Sequence, residues 1–328
     1  MAITYGLGSS KDLELISSFL EEKTTFPGYL GFEEPDVVRK VYRQIYRARK
    51  AIFDDHKETP LYIARDGEKN EALGYMLLAM GVEESITEEM DTQIFDIYAR
   101  QGERHQEVLD KFLEIAQDVT RKAGVKHLIT EIKHGDEEME GFFSRHGFQV
   151  ELNRILKRVG TYTFDTPRQK KTLVRPARNA DRMFILLISS QNSGFLIPSG
   201  RETDSRNIRN SYYELYSSMD LADDPCMKIL LAEDVETFRP CGYIMVQVDA
   251  LDLVSSRPLA YLYDLSVHKD YWGKYVGQRL VKEAENYLAQ YGVEYLIGDT
   301  AENNRRPLMS AIKTLNFKIF NRRWVKKM

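Results

Sequence analysis

The sequence predicts an α+β protein that contains the same domain twice, each domain a mixed, mostly antiparallel sheet flanked by helices. An internal repeat, a matching order of elements in both halves and an ordinary globular composition predict this fold class. Of 328 residues, 43% are hydrophobic, which is enough for two cores. Four pairs of residues recur 168 positions apart (232 − 64): Ala64 and Ala232, Gly74 and Gly242, Asp96 and Asp264, Gly124 and Gly292. A repeat of this length is a whole domain.

The second half runs strand, two helices, three strands, helix, strand, helix, strand. A short strand covers 172–177, and Asn179 or Asp181 caps a helix that runs to about Ser190. Apolar residues at helical spacing, closed by Gly292 as a C-cap, mark the central helix. The remaining predicted elements are a helix over 203–219, strands over 227–233, 242–248 and 260–267, the central helix over 278–290, a strand over 293–297, a helix over 306–315 and closing strands over 317–326.

The first half follows the same order, with its central helix capped by Gly124. A strand–helix–strand crossover requires a parallel pair, whereas the hairpins before it are antiparallel. The segment 160–171 is polar and contains Pro167, so we predict a linker there. The predicted domains are therefore 1–159 and 172–328.

Composition excludes several classes of protein. A net charge of −4 argues against a dedicated nucleic-acid or membrane-surface binder. No stretch approaches the ~20 apolar residues of a membrane span, and no signal peptide opens the chain. The two cysteines, Cys226 and Cys241, and the six histidines show no disulfide framework or metal-ligand spacing. We expect a cytoplasmic protein without a bound metal.

The run from Asp264 to Gly277 carries the strongest functional signal. A strand ends at Val267, a loop with Gly273 follows, and a helix opens at about Val276. Backbone N–H groups at such a helix start, together with the helix dipole, attract anions. Lys274 adds positive charge. The pattern predicts an anion site, although many helices begin beside a glycine.

These residues resemble the GNAT acyltransferase superfamily, which transfers acyl groups from acyl-coenzyme A. The resemblance covers the element order of nearly the whole chain. It rests on the loop Tyr271-Trp272-Gly273-Lys274-Tyr275-Val276-Gly277, on the stretch from Asn304 to Phe317, and on the first-half ending Phe142-Phe143-Ser144-Arg145-His146-Gly147-Phe148. It implies two tandem GNAT-like domains, each with a parallel strand pair at the coenzyme cleft.

The loop departs from the family pattern at two positions. Trp272 stands where the family usually has Arg or Gln, and Tyr275 stands at the first motif glycine. Tyr275 suits that position only if its φ is negative. Ile312 occupies the position of the family's frequent tyrosine general acid, and Phe143 does so in the first half; neither can donate a proton.

The first half has a more degraded loop. Leu109 replaces Gly277 and Glu107 replaces Tyr275, and Glu103 adds another acid. Carboxylates beside a helix N-terminus stabilise it without a ligand but repel a diphosphate. We therefore expect the first half to be a degenerate, scaffold or regulatory copy, and the second half to bind the acyl donor.

The resemblance implies the following site. The predicted coenzyme-binding residues are Leu265, Ser266, Val267, Trp272, Gly273, Lys274, Tyr275, Val276, Gly277, Gln278 and Asn304. Asp264 and, more weakly, Glu302 are the candidate proton acceptors; a purely structural role for Asp264 is favoured by Asp96 at the same place in the first half. The acceptor would contact Phe195, Ile197 and Tyr213. Tyr213 lies on the predicted helix over 203–219, and core packing explains the tyrosines of that helix at least as well.

The predicted function is that of an N-acetyltransferase using acetyl-CoA and a small amine acceptor, without a nucleic-acid or membrane partner. The alternative is a non-catalytic protein that binds coenzyme A or another ligand as a sensor. A third possibility is a purely structural pair of domains whose copies act as an internal dimer. For the protein as a whole we expect a monomer that acts as an internal pseudo-dimer, or a homodimer.

Overall fold

The computed structural model describes residues 2–84, 87–164, 171–201 and 205–328 and divides them into two compact units. The first unit comprises Met1–Val150, Leu253–Ser255 and Asn321–Met328. The second comprises Glu151–Asp252 and Ser256–Phe320. Within the described ranges no helix is both long and apolar enough to cross a membrane.

The first unit contains four helices and a six-stranded sheet among its described residues. The sheet order is β1-β2-β3-β4-β5-β12. The strands are β1 Ile3–Leu7, β2 Leu61–Asp66, β3 Ala72–Glu83, β4 Met90–Ala99, β5 His127–Lys133 and β12 Lys318–Lys327. The helices are α1 Leu13–Leu20, α2 Pro35–Ala48, α3 His105–Lys122 and α4 Glu137–Arg145.

The second unit repeats this arrangement, with the sheet order β6-β11-β10-β9-β8-β7. Its strands are β6 Gln149–Arg158, β7 Thr172–Pro176, β8 Met227–Asp234, β9 Pro240–Leu251, β10 Pro258–Val267 and β11 Tyr295–Ala301. Its helices are α5 Arg182–Asn192, α6 Ser205–Ser218, α7 Val276–Gln290 and α8 Arg305–Leu315. The predicted α+β class and the element order are confirmed, while Thr203 and the linker residues 165–170 lie outside the described residues.

In each unit one parallel strand pair ends early. In the second unit β10 and β11 pair only from Leu259 with Tyr295 to Leu262 with Gly298, although β10 continues to Val267. A β-bulge leaves Tyr263 unpaired with β9 at this point. The first unit has the same shape: β4 and β5 pair over three residues, and a bulge follows at Phe95. The strands beyond the pair leave main-chain groups facing a gap.

Helices cover both faces of each sheet and form two cores in each unit. In the second unit one core lies under α7 and α8 and the other under α5 and α6. Side chains alternate along a strand, so β10 supplies both cores. Leu265 and Val267 pack toward α7, whereas Asp264 contacts tyrosines of the α5–α6 core. Neighbouring residues of β10 therefore have different environments.

The compact units differ from the predicted bounds in their closing strands. The bounds 1–159 and 172–328 follow the repeat, but residues from Glu151 onward belong to the second unit and residues from Asn321 to the first. β12 pairs with β5 from Asn321 to Lys327, and β6 pairs with β11. Each sheet thus contains the closing strand of the other repeat. Strand periodicity cannot show this exchange, because either closing strand satisfies the same pattern.

Trp324→Ala should loosen the first unit, although Trp324 lies in the second repeat. Its buried ring packs in the core under α3, and removal of such a ring costs about 3–5 kcal/mol. Hydrogen exchange measured by mass spectrometry should accelerate in β4 and β5 and stay unchanged in β10 and β11. The matched variant Ile155→Ala, buried in the second unit, should give the reverse pattern. Faster hydrogen exchange in β10 of Trp324→Ala would contradict the assignment of each closing strand to the sheet of the other repeat.

Candidate functional site

The end of β10 presents a main-chain carbonyl to the gap beside β11. The N–H of His268 donates to the Cys241 carbonyl of β9 at 2.9 Å. The Val267 carbonyl belongs to the same trans peptide unit and therefore points the opposite way. It accepts the indole Nε1–H of Trp272 at 2.8 Å and the side-chain amide of Asn192 at 3.3 Å. Side chains of the protein thus engage a carbonyl predicted to hold the coenzyme.

The loop between β10 and α7 turns through two left-handed residues. Gly273 has φ 78° and Tyr275 has φ 67°. The sequence left the sign of φ at Tyr275 open, and the positive value means that the condition for a tyrosine to suit the glycine position is not met. A left-handed conformation costs a residue with a Cβ roughly 1–2 kcal/mol. The loop nevertheless keeps the turn that the family glycine would make, and the Tyr275 ring is 44% exposed.

The N-terminus of α7 is open. Its first backbone hydrogen bond runs from the Arg279 N–H to the Tyr275 carbonyl at 3.0 Å, and no side chain caps it. Among the described residues the N–H groups of Val276, Gly277 and Gln278 have no acceptor. The first turn contains no acid. Such a helix start offers N–H donors and partial positive charge to an anion.

Trp272 joins three segments of the second unit. Its ring is 42% exposed and lies edge to face with Phe195, with ring centres 5.9 Å apart. The Arg306 guanidinium lies 5.7 Å from the ring centre, within cation–π range. A Cβ on Gly273 would lie 3.8 Å from Arg306 Nη2, so this guanidinium is beside the loop. The sequence-based prediction of the site does not include Arg306. The two consecutive arginines, Arg305-Arg306, at the start of the last helix are the signal that could have identified it.

The loop after α5, residues 193–201, is anchored next to the end of β11. The Asn303 side chain donates to the Ile197 carbonyl at 3.1 Å. Arg201 forms a buried bidentate ion pair with Glu151 of β6, at 2.5 and 3.1 Å. Glu302, which precedes Asn303, has a partly exposed carboxylate. This loop contains Phe195 and Ile197, two of the predicted acceptor-binding residues, so the acceptor loop and Glu302 are neighbours.

Two residues engage the Glu302 carboxylate. The Asn153 side chain donates to it at 2.6 Å, and Arg305 lies 3.8 Å away. The carboxylate is therefore oriented but still reaches solvent, with 37% of its side chain exposed. These are properties that a proton acceptor needs.

Asp264 lies inside the α5–α6 core and is 2% exposed. The Tyr216 hydroxyl donates to its carboxylate at 2.9 Å, and the Tyr243 hydroxyl donates to the same oxygen. Burial raises the pKa of Asp264, while the tyrosine hydrogen bonds act in the opposite direction. The structure separates this carboxylate from Val267 by placing it on the other face of β10.

The first unit contains a matching cluster with one addition. Tyr75 and Tyr46 donate to Asp96 at 2.6 and 2.9 Å. Lys23, which is 5% exposed, forms an ion pair with Asp96. Asp264 has no such ion pair among the described residues. The shared tyrosines indicate a packing role common to both repeats, and the charge balance differs.

The first unit keeps an open cleft but lacks an open helix start. The cleft measures about 290 Å³ and is lined mainly by residues 22–27, 94–99 and 130–133. Arg104 donates to the Glu107 carboxylate at 3.1 and 3.3 Å in the first turn of α3, and this bonding lowers the pKa of Glu107. The N-terminus therefore carries an ionised acid.

The remaining predicted site residues lie in different parts of the second unit. Tyr213 stands exposed on α6, whereas Tyr216 of the same helix is core. Ser266 is buried beside Asp264, with its hydroxyl 3.5 Å from the carboxylate. Asn304 is the N-cap residue of α8 and makes no side-chain cap hydrogen bond. Ile312 packs against the α7–α8 core, as its apolar side chain predicts.

Comparisons with known proteins agree with this geometry. Residues 196–308 match the family model described as the acetyltransferase (GNAT) family. A solved tandem GNAT protein from the clavulanic acid biosynthesis pathway is 13% identical, with 99% of this chain and 98% of that chain covered and a TM-score of 0.51. No curated protein is a significant sequence match.

Two further solved structures share the fold. A GCN5-related N-acetyltransferase from Sphaerobacter thermophilus is 10% identical over 99% of this chain and 95% of that one, with a TM-score of 0.57. A GCN5-related glucosamine N-acetyltransferase region of a fungal multi-domain GH3 β-N-acetylglucosaminidase is 12% identical over 99% of this chain and 38% of that one, with a TM-score of 0.58. At these identities the likeness concerns the fold.

Acidification should stabilise the wild type relative to Asp264→Asn. The pKa of Asp264 is higher in the folded than in the unfolded chain, so the folded state binds the extra proton between the two values. The difference in unfolding free energy, wild type minus variant, should grow as the pH falls from about 7 toward the unfolded carboxyl pKa of about 3.9. Urea unfolding at several pH values measures it.

Asp181→Asn is the control with the opposite sign. The hydrogen bond from Arg175 lowers the pKa of Asp181, so its stabilisation is present above the unfolded pKa and is lost as the pH falls through the folded one. That difference should shrink at low pH. A flat or shrinking difference for Asp264→Asn would contradict the assignment of a raised pKa.

Proposed function

We propose that the chain is a tandem two-domain member of the GNAT superfamily, an acyl-CoA-dependent N-acetyltransferase whose second unit holds acetyl-CoA and acetylates a small amine. The match of residues 196–308 to the family model and the fold shared with a solved tandem GNAT protein support this proposal. The observation that carries this proposal is the open N-terminus of α7. Its N–H groups, an adjacent lysine and a nearby arginine all suit a diphosphate. The same place in the first unit holds the ionised Glu107.

The residues of the second unit fit the acyl donor in two parts. The N–H groups of Val276, Gly277 and Gln278 would hold the diphosphate, with Lys274 and Arg306 adding charge. Leu265, Ser266 and Val267 at the end of β10 would hold the amide-bearing arm beside the gap to β11. Trp272, Gly273, Tyr275 and Asn304 would border it. The bound donor supplies a thioester, which is already electrophilic.

In this proposal Glu302 handles the proton of the acceptor. The neutral amine nitrogen forms a bond to the thioester carbon, the carbon–sulfur bond breaks with its electron pair going to sulfur, and the nitrogen loses a proton to water or to the departing thiolate. The ammonium form must first lose a proton, and Glu302 is the accessible carboxylate beside the acceptor loop. Asp264 could take part only through the hydroxyls of Tyr216 or Tyr243, so its role in this proposal is to hold those tyrosines.

The acceptor would lie against Phe195, Ile197 and Tyr213. Phe195 and Tyr213 are exposed aromatic side chains, and Ile197 is held through its carbonyl by Asn303. An amine with an apolar or aromatic part suits this lining. One chain contains both repeats and could act as a monomer.

Two observations favour a second candidate, a non-catalytic coenzyme sensor. The Val267 carbonyl is already bonded to Trp272, and Ile312 cannot protonate a leaving thiolate. A thiol of pKa about 8.5 can leave without an acid, so the first proposal does not require one. Turnover separates the two candidates.

Acetyl-CoA should raise the melting temperature of the wild type by several degrees, and Gly277→Glu should abolish the shift. A Cβ at Gly277 meets only Val267 Cγ2, at 3.7 Å, so the fold tolerates the change while the new charge repels the diphosphate. Gly141→Glu, on α4 of the first unit, is the charge-matched control and should keep the shift. Equal shifts in both variants would place the donor elsewhere.

Glu302→Gln should lower kcat about 100-fold or more and leave the KM for acetyl-CoA within about twofold, because only proton transfer is lost. A panel of small amines assayed by thiol release provides the rate. Glu294→Gln, which lies just before the opposite end of β11, should leave kcat unchanged. Coenzyme binding with no turnover across the panel would favour the sensor, and an unchanged kcat in Glu302→Gln would remove Glu302 from the mechanism.

A further inference from the structure

We infer that Trp272 couples the donor site to the acceptor loop: the arm of the coenzyme displaces its indole from Val267, and the displaced ring releases Phe195 and Arg306. The inference rests on the proposed function and adds an order of binding to it, donor before acceptor. It assigns to Trp272 a positioning role that the family motif, with Arg or Gln at this place, does not supply.

The first step is competition for one carbonyl. A carbonyl oxygen has two lone pairs, and the Val267 oxygen already accepts from Trp272 at 2.8 Å and from Asn192 at 3.3 Å. An amide N–H of an arm lying in the gap can use this oxygen only if one of these donors leaves. Asn192 is the last residue of α5, whereas Trp272 lies on the loop and is 42% exposed. Its N–H can exchange to water, so Trp272 is the donor that leaves.

The second step follows from what the indole touches. Phe195 packs edge-on against the ring and is itself half exposed, so the indole is its aromatic support. Arg306 stacks on the same ring within cation–π distance. When the ring moves, the Phe195 side chain on the acceptor loop loses this support and is free to move. The Arg306 guanidinium, beside Gly273, is then available to the diphosphate.

The two repeats differ at the position of Trp272. The repeat step places Arg104 of the first unit at the position of Trp272 (272 − 168). Arg104 pairs with Glu107 on its own helix and with Asp66. These ion pairs join Arg104 to α3 and to the end of β2, whereas Trp272 is bonded to the end of β10. Coupling by linkage is reciprocal: a ligand that releases Phe195 would also favour binding of the coenzyme.

The test uses the fact that the chain has only two tryptophans. In Trp324→Phe, Trp272 is the sole indole, and saturating coenzyme A should shift its emission and increase its quenching by iodide. In Trp272→Phe, which keeps an aromatic ring but has no N–H, the Kd for coenzyme A should fall roughly two- to tenfold, the worth of one hydrogen bond. Calorimetry measures binding in each protein.

Hydrogen exchange reports the second step. Coenzyme A should raise exchange in residues 193–201 of the wild type, and Trp272→Ala should show the raised exchange without ligand and no further change. Bound coenzyme A with unchanged Trp272 emission, or with unchanged or slower exchange of this loop in the wild type, would overturn the coupling alone. No binding of coenzyme A to the wild type or either variant would overturn the proposed function, and the coupling with it.

Discussion

The early end of the β10–β11 parallel pair is the constraint on which the site depends. Past Leu262 and Gly298 the two strands continue without bonding to each other. Main-chain groups on the facing edges must then find other partners, because a buried unpaired carbonyl or N–H is costly. At Val267 those partners are two side chains. A gap with groups that accept alternative partners is a natural place for an amide-bearing ligand.

The alternation of side chains along β10 places its residues in two different environments. Val267 and Leu265 pack on the α7 side, where the helix start is open, and Asp264 packs on the α5–α6 side between two tyrosines. The pairing of a buried carboxylate with hydroxyls recurs at Asp96 in the first unit. A contact that recurs in both repeats is explained by the fold that they share, whereas the contacts that differ are not.

The differences between the repeats are mainly differences of charge. The first turn of α3 carries Glu107 with Arg104 bonded to it, and the first turn of α7 carries no acid. Lys23 balances Asp96, whereas hydroxyl and main-chain donors engage Asp264, which has no ion pair within the part of the chain that the structure describes. The first unit has an open cleft, so the acid at the start of α3, rather than a closed cleft, sets it apart.

Sequence alone determined the doubled α+β architecture, the order of elements and the position of the loop before α7, because periodicity, glycine caps and repeat spacing are local properties. Most strand and helix ends agree within a few residues, and the largest miss is β11, which runs to Ala301 rather than to 297. The sequence left the sign of φ at Tyr275 open, and the structure makes it positive, because turn geometry rather than residue preference decides it. Only the tertiary structure decided which closing strand completes each sheet, that Trp272 meets Val267, Phe195 and Arg306, and that Glu302 reaches solvent while Asp264 does not. Most of these depend on contacts between residues distant in the chain, and the contact of Trp272 with Val267 depends on the conformation of the loop between them; no local pattern encodes either.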